Sequence, residues 1–266
     1  MEGFRQVLSR APWAIEPLSA LIFTALVAVA FAPLELAFPA RRSARDRRSV
    51  TTDLLFATIG TAVTRALLFV VLGSSLATVR AASAAVGLGP ASPLNDWPGI
   101  VRVAVGLLVF ELGGYAYHRF AHRAPLLWRL HAVHHGAPAM DWLAAFRQHP
   151  IEIVLMTVAQ NVPIVLLGVP LGEHAGVVSF LALNTVFVHA NLRVPRALEL
   201  VLATPRFHHR HHDADRPPAN YATLFPWLDR LFGTYDGAAA ERVGLDGAAA
   251  GFLDLLLLRR RGASRA

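Results

Sequence analysis

Apolar positions dominate the chain in long runs, and polar positions gather between them. Five runs reach the ~20 residues that a transmembrane helix needs: Pro17–Pro39, Leu54–Ala77, Ile100–Tyr117, Ile151–Pro170 and Ala175–Leu192. Their apolar residues are continuous instead of alternating, which predicts helices and not strands. The pattern predicts an all-α, integral-membrane bundle of four to five transmembrane helices with a polar, histidine-rich helical cap. Pro195, Pro205, Pro217 and Pro218 break that cap into short helices and turns.

The connections between runs differ in charge. The first, Arg41–Arg48, reads RRSARDRR, with five Arg and one Asp, whereas Thr78–Gly99 carries only Arg80 and Asp96. The bias of basic loops toward the cytoplasm then sets the N-terminus outside. Alternation carries His118–His135 and His208–His212 to the cytoplasmic side, with spans four and five joined by the tight LGVPLGEH hairpin. The first apolar run lacks a cleavage-site pattern and reads as a span, not a removed signal. The terminal run Phe252–Leu258, followed by Arg259–Arg261, is too short to cross and is expected on the inner surface. The expected location is the bacterial inner membrane, with boxes and C-terminus cytoplasmic. The organisation is a single membrane domain: N-terminal spans over 1–99, a histidine-box region over 100–236 and a tail over 237–266.

Composition narrows the chemistry. The 266 residues are 55% hydrophobic and 16% charged, with a formal net charge of +7 and no cysteine. Disulfides, iron–sulfur clusters and thiolate metal sites are therefore excluded. The positive charge suits an anionic membrane surface, and no nucleic-acid module is present.

Twelve histidines are distributed unevenly. His118 and His122 are four apart; His131, His134 and His135 show offsets of three and four, and His208, His211 and His212 repeat them. On a helix such residues share a face. Three patches of imidazole can then converge, and so many positive charges cannot share one site, so the rings are neutral and need a cation. Neutral imidazole binds Zn, Cu, Fe and Ni. Eight ligands, or nine with His189 at the end of span five, exceed the needs of one ion and suit two. His209 falls off the shared face of its patch, toward solvent or a supporting role. His174 reads as an interfacial residue, and His149 is open between ligand and support. Asp229 and Arg230 are candidates for holding the third patch in place. Glu111, Gln160, Asn161 and Asn184 should face the bundle interior, and Arg65 needs a partner such as Glu111.

The boxes HRFAH, HAVHH and HHRHH resemble the H-x-x-x-H, H-x-x-H-H and H-x-x-H-H boxes of the fatty acid hydroxylase superfamily, which includes sterol desaturases. The HP.E at His149–Glu152, the HAN at His189–Asn191 and NYATLFPWLDRLFGTYD extend the resemblance over about Glu111 to Asp236. Ala222 stands where the family usually has Gly, and Leu228 where Trp is common. The resemblance implies a non-haem di-iron enzyme with two Fe ions, held by His118, His122, His131, His134, His135, His208, His211 and His212, joined by His189. It implies O2, a membrane lipid substrate (sterol-like, fatty-acyl or ether lipid, or carotenoid) and hydroxylation or desaturation of a C–H bond. Electrons come from an external ferredoxin-, cytochrome- or reductase-type donor. Two other classes compete: an intramembrane zinc hydrolase, for which no H-E-x-x-H is present, and a metal transporter or sensor, whose ligands would sit at mid-membrane depth.

Overall fold

A computed structural model describes residues 15–42, 46–85, 87, 92–169, 175–245 and 250–259. Ten α-helices are described, with no sheet among the described residues. They are α1 Ile15–Ala37, α2 Arg47–Leu55, α3 Thr61–Ala85, α4 Gly99–Ala121, α5 Pro125–His135, α6 Pro150–Leu167, α7 Ala175–His189, α8 Pro205–His211, α9 Pro226–Leu231 and α10 Phe252–Leu256. Four helical stretches are long and apolar enough to cross a membrane: Leu18–Ala37, Arg47–Val71, Gly99–Ala121 and Pro150–Leu167. Their lipid-facing surface carries exposed side chains such as Leu26, Val29, Phe69 and Ile100.

Two expectations need correction. Among the described residues the fifth apolar run forms a helix of 15 residues, Ala175–His189, against the ~20 that a spanning helix needs. It ends at His189 because Asn191 turns away: its backbone N–H donates to Glu35 and its side chain brackets the backbone of Arg41. The second span begins earlier than expected. Asp46 caps α2 by accepting from the Ser49 N–H at 2.7 Å, so the helix starts at Arg47, in a polar stretch whose Ser49, Thr52 and Asp53 are buried against the cap. A single π turn, Phe56–Gly60, joins α2 to α3.

Helix α6 packs against both α3 and α4, and α7 packs against α8. At the crossing of α4 and α6 a Cβ on Gly113 would lie 2.4 Å from the Ala159 carbonyl oxygen, so only glycine allows this approach. Gln160 covers the neighbouring Gly114, Asn161 donates to Thr157 O within its own helix, and buried Asn184 donates to Thr223 O. Arg65 reaches the Ser19 hydroxyl of α1, and Glu111 is engaged elsewhere. His174 and the hairpin tip at 170–174 lie outside the described residues, as do residues 260–266 of the tail. Helix α10 is not simply laid on a surface: Phe252 is buried against Phe56 and Val133, with Leu253 and Leu257 exposed.

The ends of α1, α4 and α7 and the starts of α2 and α6 meet at one end of the bundle. Glu35 there accepts from the N–H groups of Trp142 and Asn191, and Arg147 is buried against Asp53 of α2. Replacing Gly113 by Ala should force α4 and α6 apart and cost about 1–3 kcal/mol. A thermal-unfolding comparison in detergent checks this, and an unchanged midpoint would contradict the close crossing.

Candidate metal centre

Each histidine patch is positioned by a local device. The last turn of α4 carries His118, with His122 closing the helix. Helix α5 starts with Pro125 in its first turn and ends at Gly136, placing His131, His134 and His135 on its inner face. Thr204 caps α8 by accepting from the Phe207 N–H at 3.3 Å, which aims His208 and His211 inward, with His212 at the helix end. His189 arrives as the last residue of α7.

All nine rings are buried and fall into two groups. His118, His122, His131, His135 and His211 form one; His134, His189, His208 and His212 form the other, each with its ligand atoms within 4.8 Å of one another. The facing atoms are Nε2 throughout. In the first group the separations are 2.9 Å for His122–His131, 3.0 Å for His122–His211 and 3.1 Å for His118–His131, His131–His135 and His135–His211. In the second they are 3.0 Å for His134–His189 and His189–His208, and 3.2 Å for His208–His212.

The tautomers follow from the outer nitrogens. His118 Nδ1 meets Tyr221 O at 2.7 Å, His134 Nδ1 meets Arg147 O at 3.1 Å, His189 Nδ1 meets Thr185 O at 2.6 Å and His211 Nδ1 meets Ala219 O at 2.8 Å. A carbonyl only accepts, so each Nδ1 carries the proton and each Nε2 is left a bare lone pair. His131 Nδ1 likewise meets the Glu152 carboxylate. Lone pairs held this close repel unless a cation lies between them. Neighbouring nitrogens ~2.1 Å from one ion and at right angles to each other stand about 3.0 Å apart, which matches the observed separations. The donor sets therefore fit two metal ions, and the partners of Nδ1 are the outer-shell contacts that fix metal-binding imidazoles.

An extended stretch, Ala219–Phe225, braces these rings. Its carbonyls at Ala219, Tyr221 and Thr223 face His211, His118 and Asn184. Its N–H groups go the other way: Tyr221 and Ala222 donate to Asp229, each at 2.8 Å, and Thr223 and Leu224 donate to Glu111 at 2.6 and 2.8 Å. Glu111 sits wholly buried in α4. Asp229 thus supports His118 through Tyr221, and it pins the same stretch whose Ala219 carbonyl meets His211 of the third box. Arg230 is exposed and stacks over the Tyr235 ring at 4.2 Å. His149 lies outside both groups: its Nδ1 accepts from the Ile151 N–H, capping α6, and its Nε2 donates to Leu256 O. His209 is buried, not solvent-facing, and donates to His189 O at 3.0 Å.

The sequence reading did not pick out the Asp53–Arg147 pair, nor Glu152 as the partner of His131. An acid inside or beside an apolar run was the available signal for both.

Residues 103–234 match the family model described as fatty acid hydroxylase. An ornithine lipid hydroxylase of Rhizobium tropici is 31% identical over 166 residues, 60% of this chain and 50% of that protein. This part of the chain belongs to the fatty acid hydroxylase superfamily. Alkylglycerol monooxygenases of Danio rerio and Homo sapiens are 33% and 30% identical over 135 and 136 residues, 49% and 50% of this chain and 30% of each of those proteins. The chain thus spans half or less of the curated relatives it matches. No solved structure matches it. At the position where the superfamily usually has glycine, Ala222 is fully buried and its N–H still reaches Asp229, so the brace is intact. Leu228, where Trp is common, fills the core with Tyr115, Val188 and Phe207.

Burial, reinforced by the neighbouring rings, holds His134, His135, His208, His211 and His212 well below their ordinary 6.5. Burial likewise holds His209 down to about 4. An unfolded chain binds protons at these rings from pH 6.5 downward while the folded chain does not. Metal-free protein should therefore be fully stable above about pH 6.5 and lose up to about 1.4 kcal/mol per ring and pH unit below it. Unfolding midpoints of metal-depleted protein from pH 7.5 to 5 check this, and a flat profile would contradict neutral, buried rings.

Proposed function

We propose that the protein is a membrane-bound, non-haem di-iron oxygenase that hydroxylates or desaturates a C–H bond of a lipid, using O2 and externally supplied electrons. The observation that carries this is the pair of imidazole groups whose Nε2 atoms converge, five of the rings with the Nδ1 proton turned outward to a fixed acceptor. His118, His122, His131, His135 and His211 would hold one iron, and His134, His189, His208 and His212 the other. Two irons there would supply the redox change and O2 activation that attack on an unactivated C–H bond requires.

The protein's own residues prepare that chemistry. Backbone carbonyls of Tyr221, Arg147, Thr185 and Ala219 keep four rings in the metal-binding tautomer, and Glu152 does so for His131. Burial of every ring excludes bulk water from the donor atoms. Asp229 and Glu111 hold the Ala219–Phe225 brace, and the Asp53–Arg147 pair fixes the carbonyl that orients His134.

The relatives' names, ornithine lipid hydroxylase and alkylglycerol monooxygenase, favour an acyl or ether lipid over a sterol-like lipid or carotenoid. Arg41 and the helix start at Arg47, both in the Arg-rich connection, lie at the same end of the bundle as the nine imidazoles, which supports a cytoplasmic centre in a bacterial inner membrane with the N-terminus outside. The lipid would reach it laterally, and electrons would arrive from a soluble or surface-bound donor.

Metal analysis of purified protein should find about two irons per chain, from a donor set too large for one ion; one zinc and no iron would contradict the reading. His134→Ala should insert into the membrane normally and lose more than about 100-fold in lipid oxidation, beyond the 10–100-fold usual for a supporting residue. Retained turnover would remove His134 from the centre.

A further inference from the structure

Beside the histidine core, on the opposite face of α8 from His208, lies an open cleft of about 200 Å³ with its own chemistry. Its walls come from four distant segments, three of which supply Arg41, Arg193 and Arg206, with His209 on the core side and apolar contacts from Leu192 and Ala240. No carboxylate lines it. The backbone fixes this convergence. Arg193 N donates to Phe38 O at 3.0 Å, Ala40 N donates to Asn191 O at 3.1 Å, and the Asn191 side chain bonds the N–H and carbonyl of Arg41.

Two of the arginines are already oriented. Arg41 donates to Ala240 O, and Arg206 donates to Gly237 O and to Glu199 at 3.3 Å. Glu199 offsets part of the Arg206 charge, while no ion pair among the described residues involves Arg41 or Arg193. The cleft therefore keeps excess positive charge. It sits just past the end of α1, where Leu36 is 85% exposed and Phe38 61% exposed, as side chains facing acyl chains would be. That is the level at which lipid headgroups lie, and guanidinium groups match the oxygens of phosphate and carboxylate.

We propose that the Arg41–Arg193–Arg206 cleft binds the anionic headgroup of a membrane lipid, so that this bundle end is held against, and supplied from, negatively charged lipid. The site stands whichever lipid the metal centre oxidises. Native mass spectrometry of the full chain in neutral detergent tests it, with dioleoylphosphatidylglycerol and dioleoylphosphatidylcholine as probes. Phosphatidylglycerol should be retained over phosphatidylcholine, also in excess inorganic phosphate. Arg193→Gln should weaken its retention about five-fold, the contribution of one basic side chain near an anionic surface. Arg196→Gln, an exposed charge outside the cleft, should leave retention unchanged. Equal retention of the two lipids, displacement by inorganic phosphate, equal losses in both variants, or full retention in Arg193→Gln would each overturn the proposal.

Discussion

The structure depends on where a few imidazole protons are placed. Nine rings crowd into the end of a helical bundle, a region that could not accommodate them charged. Five of them, His118, His131, His134, His189 and His211, turn the Nδ1 proton outward to a fixed acceptor and leave the Nε2 lone pair facing the other rings. That arrangement is costly in a folded protein without a cation and favourable with one. The fold therefore fits the metal centre proposed for it: neither the convergence nor the burial of these rings makes physical sense alone.

The scaffold around the rings serves that placement. Acceptors for Nδ1 come mostly from backbone, which cannot change its protonation, and the backbone segments that provide them are themselves pinned by carboxylates. Glu111 rises from a membrane helix to collect the N–H groups of Thr223, Leu224 and Phe225. Asp229 collects those of Tyr221 and Ala222. Arg147 spans from Asp53 to Gly136 O while lending its own carbonyl to His134. A buried ion pair of this kind contributes little net stability, yet breaking it costs about 3–5 kcal/mol. Its worth lies in fixing one geometry.

Much of this was legible in the sequence because it is local. Offsets of three and four within the boxes follow helical geometry, so the shared faces of α5 and α8 could be read directly. So could the inward direction of Asn184 and Glu111, which follows from the cost of polar groups in lipid. Long-range partners were not legible. Nothing in the spacing tells that Asp229 would serve His118 through Tyr221, or that Glu111 would face a loop over a hundred residues away instead of Arg65. His149 was open between ligand and support by type, and the structure makes it a helix cap ahead of Pro150. The inner end of the fifth apolar run was not legible because hydropathy does not register where Asn191 stops the helix.

The central claim is that the two imidazole groups each hold an iron. Anomalous diffraction from crystals of the purified protein, recorded on both sides of the iron absorption edge, tests it most directly. The account predicts two iron peaks, one among His118, His122, His131, His135 and His211 and one among His134, His189, His208 and His212. A single peak, or iron bound only outside these rings, would contradict it.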